Sequence, residues 1–310
     1  MSDIQLFRLH DSGVQELTSA TVNLERHLQA LVENHMEALL GVRFLASEYT
    51  TGKTHRGRID SLGLDENNCP VIVEYKRHSH ENVINQGLYY LDWLLDHQAD
   101  FCWLVLERLG KDAADNMEWS GTRLLCIAAD FTKYDLHAVQ QIARNIELIR
   151  YRQFGDELLL LELVNTQTVN EAVKKTADAA ASDDSSMAHK TVSRDKTFAE
   201  QMAGASGEIV GLYRQLRLFI LSLGDDVSEK TLKLYTAFRK LRNFATVVAY
   251  GNKLLLYLHI EPAAVTFSKT FSRDVSHIGH WGTGNVEFTL KTVDDLERIK
   301  PLLLHAYQEG

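Results

Sequence analysis

One stretch, Gly57 to Arg77, most constrains what this chain can fold into. It reads GRIDSLGLDENNCPVIVEYKR. Two runs of apolar and β-branched residues flank the turn-forming residues 65–68, and Pro70 opens the second run. This pattern predicts a β-hairpin. If the four-residue turn is centred between Glu66 and Asn67, the numbers of any two opposed residues add up to about 133. Asp60 therefore lies opposite Glu74 or one place away from it.

The hairpin also decides which side chains share a face. Because side chains alternate along a strand, Glu74 and Lys76 lie on one face, with Asp60 across from them. Opposed Cβ atoms are roughly 4.5–5.5 Å apart. Two carboxylates at that spacing repel, and one stays protonated unless a cation lies between them. A hard divalent cation such as Mg²⁺ suits such oxygen ligands, so the pattern predicts a metal site.

Two helical segments flank the hairpin. Apolar periodicity predicts a helix over residues 22–40, with Glu25 near its first turn. Glu33 and Glu37 on the same helix are rival candidates for an inward-facing acid. A second helix is predicted from Glu81 to Asp96. The side chains of Gln86 and Tyr90 lie four residues apart there and share a face, either beside the site or on an ordinary helix surface.

The ordered set of acid-bearing helix, Asp60, Glu74-Tyr-Lys76 and the later Gln86–Tyr90 pair resembles the PD-(D/E)xK nuclease superfamily. The opening Glu25-Arg-His-Leu28-Gln29 is similar to the NucS/EndoMS-like branch, and the Gln86–Tyr90 spacing to the QxxxY motif of the RecB-like branch. The resemblance covers about residues 22–106. Ile59 stands where the motif's name has proline, and this departure removes no ligand.

The resemblance implies a metal-dependent nuclease. Asp60, Glu74 and the main-chain carbonyl of Tyr75 would hold Mg²⁺ or Mn²⁺, with Glu25 acting directly or through water. Lys76 would orient or activate the attacking water, and Gln86 would help to position substrate or water. The residues expected to contact nucleic acid are Arg56, Arg58, Arg77 and Tyr90. DNA is favoured over RNA as substrate and endonucleolytic cleavage over exonucleolytic; a homodimer is implied by analogy alone.

The charge of the chain supports an alternative. Net charge is −9, and residues 1–165 hold 15 Lys and Arg against 25 Asp and Glu. A large non-specific nucleic-acid surface should be basic. A catalytically inactive nuclease-fold module that binds nucleic acid or a protein, regulated by the C-terminal domain, therefore stays open. The basic residues around the hairpin either form a local phosphate-binding cluster or are solvent-exposed residues at the ends of the strands.

The 310 residues predict two domains. We expect a restriction-endonuclease-like α+β domain at 1–165, with a mixed sheet core flanked by helices, then a linker at 166–196 and a smaller α+β domain at 197–310. The linker is rich in Ala, Ser and Asp, with a short helix predicted near 169–181. Elements predicted elsewhere in the first domain are a hairpin within 3–18, strands at 42–49, 101–106 and 123–128, an exposed loop at 107–121, a helix at 134–147 and a hairpin formed by 148–154 and 157–164.

The second domain is predicted to contain helices at 198–222, 228–232 and 293–308 and strands at 245–250, 253–260 and 286–290. Its run from Asp274 to Gly284, DVSHIGHWGTG, resembles an uncharacterised C-terminal domain found behind nuclease-like modules, sometimes called a predicted transport protein. No Cys and few acids accompany His277 and His280, so a structural zinc site is not expected there. We expect a packed Gly-rich loop anchored by Trp281. A further hypothesis places a basic face near Tyr235 and Phe244, formed by Lys230, Lys233, Arg239, Lys240, Arg242 and Lys253.

The cellular compartment is predicted from the lack of a membrane span and of a signal peptide in the sequence. No apolar run reaches the roughly 18 residues that span a bilayer. The N-terminal residues lack the apolar core of a signal peptide. Cys102 and Cys126 lie in apolar runs typical of reduced core residues. A soluble cytoplasmic protein is expected.

Overall fold

The chain folds into two compact units, Met1–Gln167 and Thr168–Gly310. The structure, a computed structural model, describes residues 4–11, 13–20, 25–52, 56–76, 83–155, 157–167 and 196–309. The predicted linker lies almost entirely outside these residues, as does its short helix. Each unit is therefore described by itself.

The first unit contains nine strands and six α-helices among its described residues. In chain order they are β1 (Leu6–His10), β2 (Gly13–Leu17), β3 (Ser19–Ala20), α1 (Glu25–Asn34), α2 (Met36–Leu40), β4 (Val42–Thr50), β5 (Arg58–Asp65), β6 (Pro70–Lys76), α3 (Val83–Asp96), α4 (Gln98–Leu109), α5 (Lys111–Asp115), β7 (Arg123–Ala128), α6 (Lys133–Gln140), β8 (Asn145–Phe154) and β9 (Leu158–Gln167).

A seven-stranded mixed sheet forms the centre of this unit, in the order β3-β8-β7-β6-β5-β4 with β9 also paired to β8. Strands β6, β7 and β8 run parallel, and their neighbours are antiparallel. Leu62, Ile72 and Leu124 are in register and so share a face, against which α3 packs through Gly87. Helix α1 bonds to Ser61 on the other face. Both faces are thus covered, as the apolar residues on both sides of the hairpin predict.

The central hairpin forms as predicted. Strand β6 begins at Pro70, and the turn is closed by the Asp65 carboxylate, which accepts hydrogen bonds from the amides of Asn67 at 2.8 Å and Cys69 at 2.9 Å. Asn68 adopts a positive φ of 58°, a conformation that asparagine tolerates better than most residues. The predicted hairpins of β1–β2 and β8–β9 are also present.

Two sequence-based assignments in the first unit are wrong, and a third is wrong in part. Residues 101–106 lie in helix α4 instead of a strand, with Phe101 and Val105, one helical turn apart, buried. A short apolar run does not distinguish a buried strand from a helix face. The expected loop at 107–121 holds the end of α4 and all of α5. The helix predicted at 134–147 ends at Gln140, and β8 begins at Asn145.

The second unit contains six strands and three α-helices among its described residues. They are α7 (Phe198–Ala203), α8 (Gly207–Leu221), β10 (Ser228–Thr231), β11 (Thr236–Arg239), β12 (Asn243–Tyr250), β13 (Lys253–Leu258), β14 (Ser272–Asp274), β15 (Val286–Leu290) and α9 (Val293–Glu309). The strands form one antiparallel sheet in the order β10-β11-β12-β13-β15-β14. The predicted helix at 228–232 is wrong, because these residues form edge strand β10.

Together the two units confirm the predicted fold class at the level of architecture: a mixed sheet flanked by helices, followed by a second, smaller α+β unit. No helix in the described part of the chain is long and apolar enough to cross a membrane.

Candidate active site

The hairpin brings Asp60 and Glu74 together. Ser61 pairs with Val73 and Leu62 with Ile72, so the same register carried one place outward sets Asp60 against Glu74. Each carboxylate bonds to the backbone of the facing strand. The amide of Tyr75 donates to Asp60 Oδ2 at 3.0 Å, and the amide of Asp60 donates to Glu74 Oε1 at 3.2 Å. These crossed bonds fix both side chains where the regular strand pairing ends.

Glu74 is the most constrained ionisable group of this cluster. Its side chain is 0% exposed, and Oε2 has no hydrogen-bond partner among the described residues. Burial, and then the neighbouring Asp60 carboxylate, raise the pKa of Glu74 to about 9. Burial also raises the pKa of Asp60, against the opposing effect of the hydrogen bond from Tyr75. Without a cation, Glu74 is therefore protonated at neutral pH.

Lys76 and Glu25 complete the cluster from two different elements. Helix α1 begins at Glu25, whose Oε1 lies 3.3 Å from Lys76 Nζ at the end of β6. Burial lowers the pKa of Lys76, but the Glu25 and Asp60 carboxylates outweigh it, so that the net shift of this pKa is upward. The ammonium is thus held charged beside the two acids.

Gln86 and Tyr90 on helix α3 form hydrogen bonds at the start of β5. Gln86 donates to the Tyr90 hydroxyl at 3.3 Å, and this hydroxyl accepts a bond from the Arg58 amide at 3.2 Å. The Tyr90 ring leaves no room for a side chain at Gly57, where an added Cβ would lie 2.3 Å from Tyr90 Cε1. The buried Tyr90 therefore positions the backbone just before Asp60.

Sequence reasoning missed a polar network on the opposite face of the hairpin. The Gln29 amide donates to the Asp60 carbonyl at 2.9 Å and to Glu33 at 3.0 Å. The Ser61 hydroxyl donates to Glu33 at 2.6 Å and lies 3.2 Å from the Tyr75 hydroxyl. Glu33, considered only as a rival ligand, thus ties helix α1 to the hairpin. In the sequence, only Gln29, a polar residue beside the apolar Leu28, indicated that this side of the helix makes polar contacts.

The basic residues predicted to contact nucleic acid are only partly described. Arg58 is exposed and forms an ion pair with Glu48 across the β4–β5 edge. Arg56 is exposed and has a positive φ of 50°. Arg77 lies outside the described residues. Arg56 and Arg58 thus lie on the surface at the start of β5, on the chain segment that leads to Asp60.

The donor chemistry of this cluster fits a hard divalent cation. Asp60 and Glu74 supply carboxylate oxygens, including the unpartnered Glu74 Oε2, and Mg²⁺ prefers such ligands. Within the described ranges, no three His, Cys, Asp or Glu side chains converge as a metal-binding group. Glu25 is engaged with Lys76 instead, so the fit rests on two carboxylates together with main-chain oxygen or water.

These features define an α+β protein in which a buried glutamate and a half-buried aspartate lie beside a lysine. Residues 198–310 match the family model described as "Domain of unknown function (DUF5655)". An uncharacterized protein of Haemophilus influenzae is 27% identical over 311 residues, covering 99% of this chain and 100% of that relative.

Among solved structures, the chain is similar to one described as "Structure of EndoMS-dsDNA2 complex". The identity is 14%, the TM-score is 0.25, and the match covers 47% of this chain and 64% of that one, which is less than two thirds of its length. A TM-score this low does not establish a shared fold, so the superfamily membership suggested by the motif residues stays a prediction.

Proposed function

We propose that the first unit is a metal-dependent nuclease that hydrolyses phosphodiester bonds in DNA, cutting within the strand. The observation that carries this proposal is the pairing of the half-buried Asp60 with the fully buried Glu74. A fully buried carboxylate with an unpartnered oxygen is costly unless it is protonated or bound to a cation. Lys76, at the same strand end, adds a cation that can stabilise negative charge on a phosphate.

Asp60, Glu74 and the main-chain carbonyl of Tyr75 would hold Mg²⁺ or Mn²⁺, and Glu25 would contribute through water. Such an ion neutralises charge on the scissile phosphate and lowers the pKa of water. The crossed bonds to the Tyr75 and Asp60 amides hold both carboxylates in place before any ion arrives. The site is thus preorganised by backbone groups that do not titrate.

Lys76 is proposed to orient the attacking water and to stabilise negative charge developing on the phosphate. Its ion pair with Glu25 at 3.3 Å keeps it protonated and directed toward the acids. Gln86 and Tyr90 act as positioning residues, because their bonds fix the backbone at Arg58. Arg56, Arg58 and Arg77 are proposed to contact the phosphates that flank the cleaved bond.

The test is cleavage by purified protein with Mg²⁺ or Mn²⁺, against single-stranded, duplex, mismatched and modified DNA and RNA. Asp60→Asn, Glu74→Gln and Lys76→Ala should each reduce cleavage by about a hundredfold or more, the usual scale for such groups. Asp92→Asn, on the exposed face of α3, is the matched control and should cut normally. Full activity in any of the three site variants would reject the mechanism.

A non-catalytic binding module is the second candidate, favoured by one observation. When Glu74 is protonated and Lys76 is paired to Glu25, the charges of the cluster need no metal ion. Among the described residues, only Glu74 Oε2 in this cluster is buried without a hydrogen-bond partner. Calorimetry separates the two functions. Mg²⁺ or Mn²⁺ affinity that disappears in Asp60→Asn supports the nuclease, whereas the absence of cation affinity in the wild-type protein supports the binding module.

A further inference from the structure

Among the described residues of the second unit, helices pack on only one face of the sheet. Helices α8 and α9 pack on the other face, against a core that includes Val247, Leu256 and Phe288. Because side chains alternate, the neighbouring residues Val248, Leu255 and Tyr257 point the opposite way, where they form a small separate cluster with Val275. This second face is available to carry a site.

Strand register arranges a polar row across that face. Thr246 is opposite Tyr257, Tyr257 opposite Glu287, and Glu287 opposite Arg273. Directly opposed residues of antiparallel strands lie on the same face. Tyr250 and Lys253, also opposed, lie at the end of the β12–β13 hairpin on this side. The row thus places aromatic rings and cations side by side.

The loop that joins β14 to β15 folds over this row. Gly282 has a φ of 87°, and a Cβ there would lie 2.5 Å from Thr246 Oγ1. The Thr283 amide donates to Thr246 Oγ1 at 3.0 Å, and the Thr246 hydroxyl donates to the Thr283 carbonyl at 2.9 Å. These contacts fix the loop through its glycines and Thr283. The expectation that Trp281 anchors it is therefore wrong, since that side chain is 44% exposed.

Between loop and sheet lies an open cavity of about 440 Å³, within the range of small-molecule sites. Flat side chains dominate its lining: Tyr250, Tyr257, His280 and Trp281. The imidazole of His280 stacks on the Tyr257 ring at 4.3 Å between centroids and 3° between planes. A cavity built from flat rings with an exposed tryptophan at its edge suits a flat aromatic ligand.

Two cations, Arg273 and Lys253, lie close enough to the cavity to contact an anionic group of a ligand. The acid beneath it, Glu287, accepts two bonds from Arg273, at 2.7 and 2.6 Å, and one from the Tyr257 hydroxyl at 2.9 Å. Its charge is thus balanced by Arg273, which is itself exposed at the cavity wall. Lys253 adds a second cation, 5.5 Å from the centroid of the Tyr250 ring. The nearby Asp274 carboxylate bonds to Ser276 within the loop.

We propose that this cavity binds a nucleotide, with the base stacked among Tyr250, Trp281 and His280 and the phosphate near Arg273 and Lys253. Stacking on aromatic side chains combined with a neighbouring cation is how proteins hold nucleotides without reading their sequence. The ligand is either a free mononucleotide or one nucleotide of a single strand, and both present the same base and phosphate. The site belongs to the second unit and does not depend on the nuclease proposal.

The test is calorimetric titration of the full-length protein in EDTA, which prevents metal-dependent cleavage. The probes are AMP, ribose 5-phosphate, a single-stranded octadeoxyadenylate and the same sequence as a duplex. We expect AMP or the single strand to bind, and ribose 5-phosphate and duplex to bind at least about tenfold more weakly, because they lack an accessible base face. AMP binding assigns a free nucleotide; binding of the strand alone assigns single-stranded nucleic acid.

Two variants locate the site. Trp281→Ala and Tyr250→Leu should each weaken binding about tenfold, the scale of one lost stacking contact. Trp103→Ala, which removes a 63% exposed tryptophan from helix α4, is the matched control and should bind as wild type. The proposal is overturned if no probe binds at millimolar concentration, if ribose 5-phosphate binds as tightly as AMP, or if both site variants bind normally.

Discussion

Burial of Glu74 links the stability of the metal-free protein to pH. The pKa of this carboxyl is about 9 in the folded protein, above its ordinary value of 4.5. Below the ordinary value, Glu74 is protonated in both the folded and the unfolded chain, and its contribution to stability is at its maximum. As pH rises from there toward 9, only the unfolded chain loses the proton, so the free energy of unfolding falls.

Glu74→Gln removes that titration while keeping the shape and an acceptor for the Asp60 amide. In EDTA at pH 8 we expect Glu74→Gln to be more stable than wild type. The difference in unfolding free energy should be a few kcal/mol, because the pKa of Glu74 is raised from 4.5 to about 9. Near pH 4 the two proteins should be about equal. Urea unfolding across this range is the measurement. A wild-type stability that stays flat between pH 5 and 9 would contradict the buried, protonated carboxyl.

The Tyr90 hydroxyl stabilises the backbone at the start of β5. Tyr90→Phe leaves the Arg58 amide without its acceptor, which should cost about 1–2 kcal/mol of unfolding free energy. Tyr89→Phe, at the neighbouring exposed position, is the control and should be nearly neutral. If cleavage activity falls in Tyr90→Phe by more than the stability loss explains, the hydroxyl also positions the site. Equal stability of the two variants would refute the backbone contact.

At the scale of elements, a buried charge cluster fixes three strands of the first sheet. Arg123 on β7 lies 3.3 Å from Asp65 on β5 and 3.0 Å from Glu147 on β8. Its side chain is only 4% exposed. Removing it leaves two buried carboxylates without their cation. We expect Arg123→Leu to lower the unfolding free energy of the first unit by about 3–5 kcal/mol.

Arg144→Leu is the matched control, because its ion pair with Asp92 is long, at 3.7 Å, and exposed. Surface pairs of this kind contribute roughly 0–1 kcal/mol. Chemical denaturation followed by near-ultraviolet circular dichroism compares the two variants. Similar, small effects from both substitutions would show that the strands are held by apolar packing alone.

At the scale of the whole molecule, the proposed activities lie in different units. All proposed nuclease residues lie in Met1–Gln167, whereas the nucleotide cavity lies in the second unit, which has its own apolar core. We expect a fragment of residues 1–167 to retain Mn²⁺-dependent cleavage. A fragment that folds but cuts only when the second unit is present would instead assign that unit a regulatory role.

The homodimer is a prediction about the whole molecule, and it rests only on analogy with nucleases that pair to cut duplexes. Light scattering of the full-length protein gives the mass directly. A monomer at micromolar concentration, with and without DNA, would contradict it.

Local patterns in the sequence determined the parts of the fold that depend on neighbours in the chain. Turn residues and alternating apolar positions predicted the hairpin, its register to within one place, and so the meeting of Asp60 and Glu74. The same reasoning failed at residues 101–106 and 228–232, where a short run fits helix and strand equally well. Packing against distant elements decided those cases.

Local spacing alone was therefore enough to predict the acid pair and the lysine beside it, because they lie on one hairpin and a period of two fixes their faces. Their surroundings depend on long-range packing: Glu25 pairs with Lys76, Gln29 and Glu33 bond to the hairpin, and Tyr250, Tyr257 and Trp281 line one cavity. These contacts join residues far apart in the chain, and no local spacing encodes them. Burial, which sets the pKa of Glu74, arises in the same way, because it depends on every element that packs around that side chain.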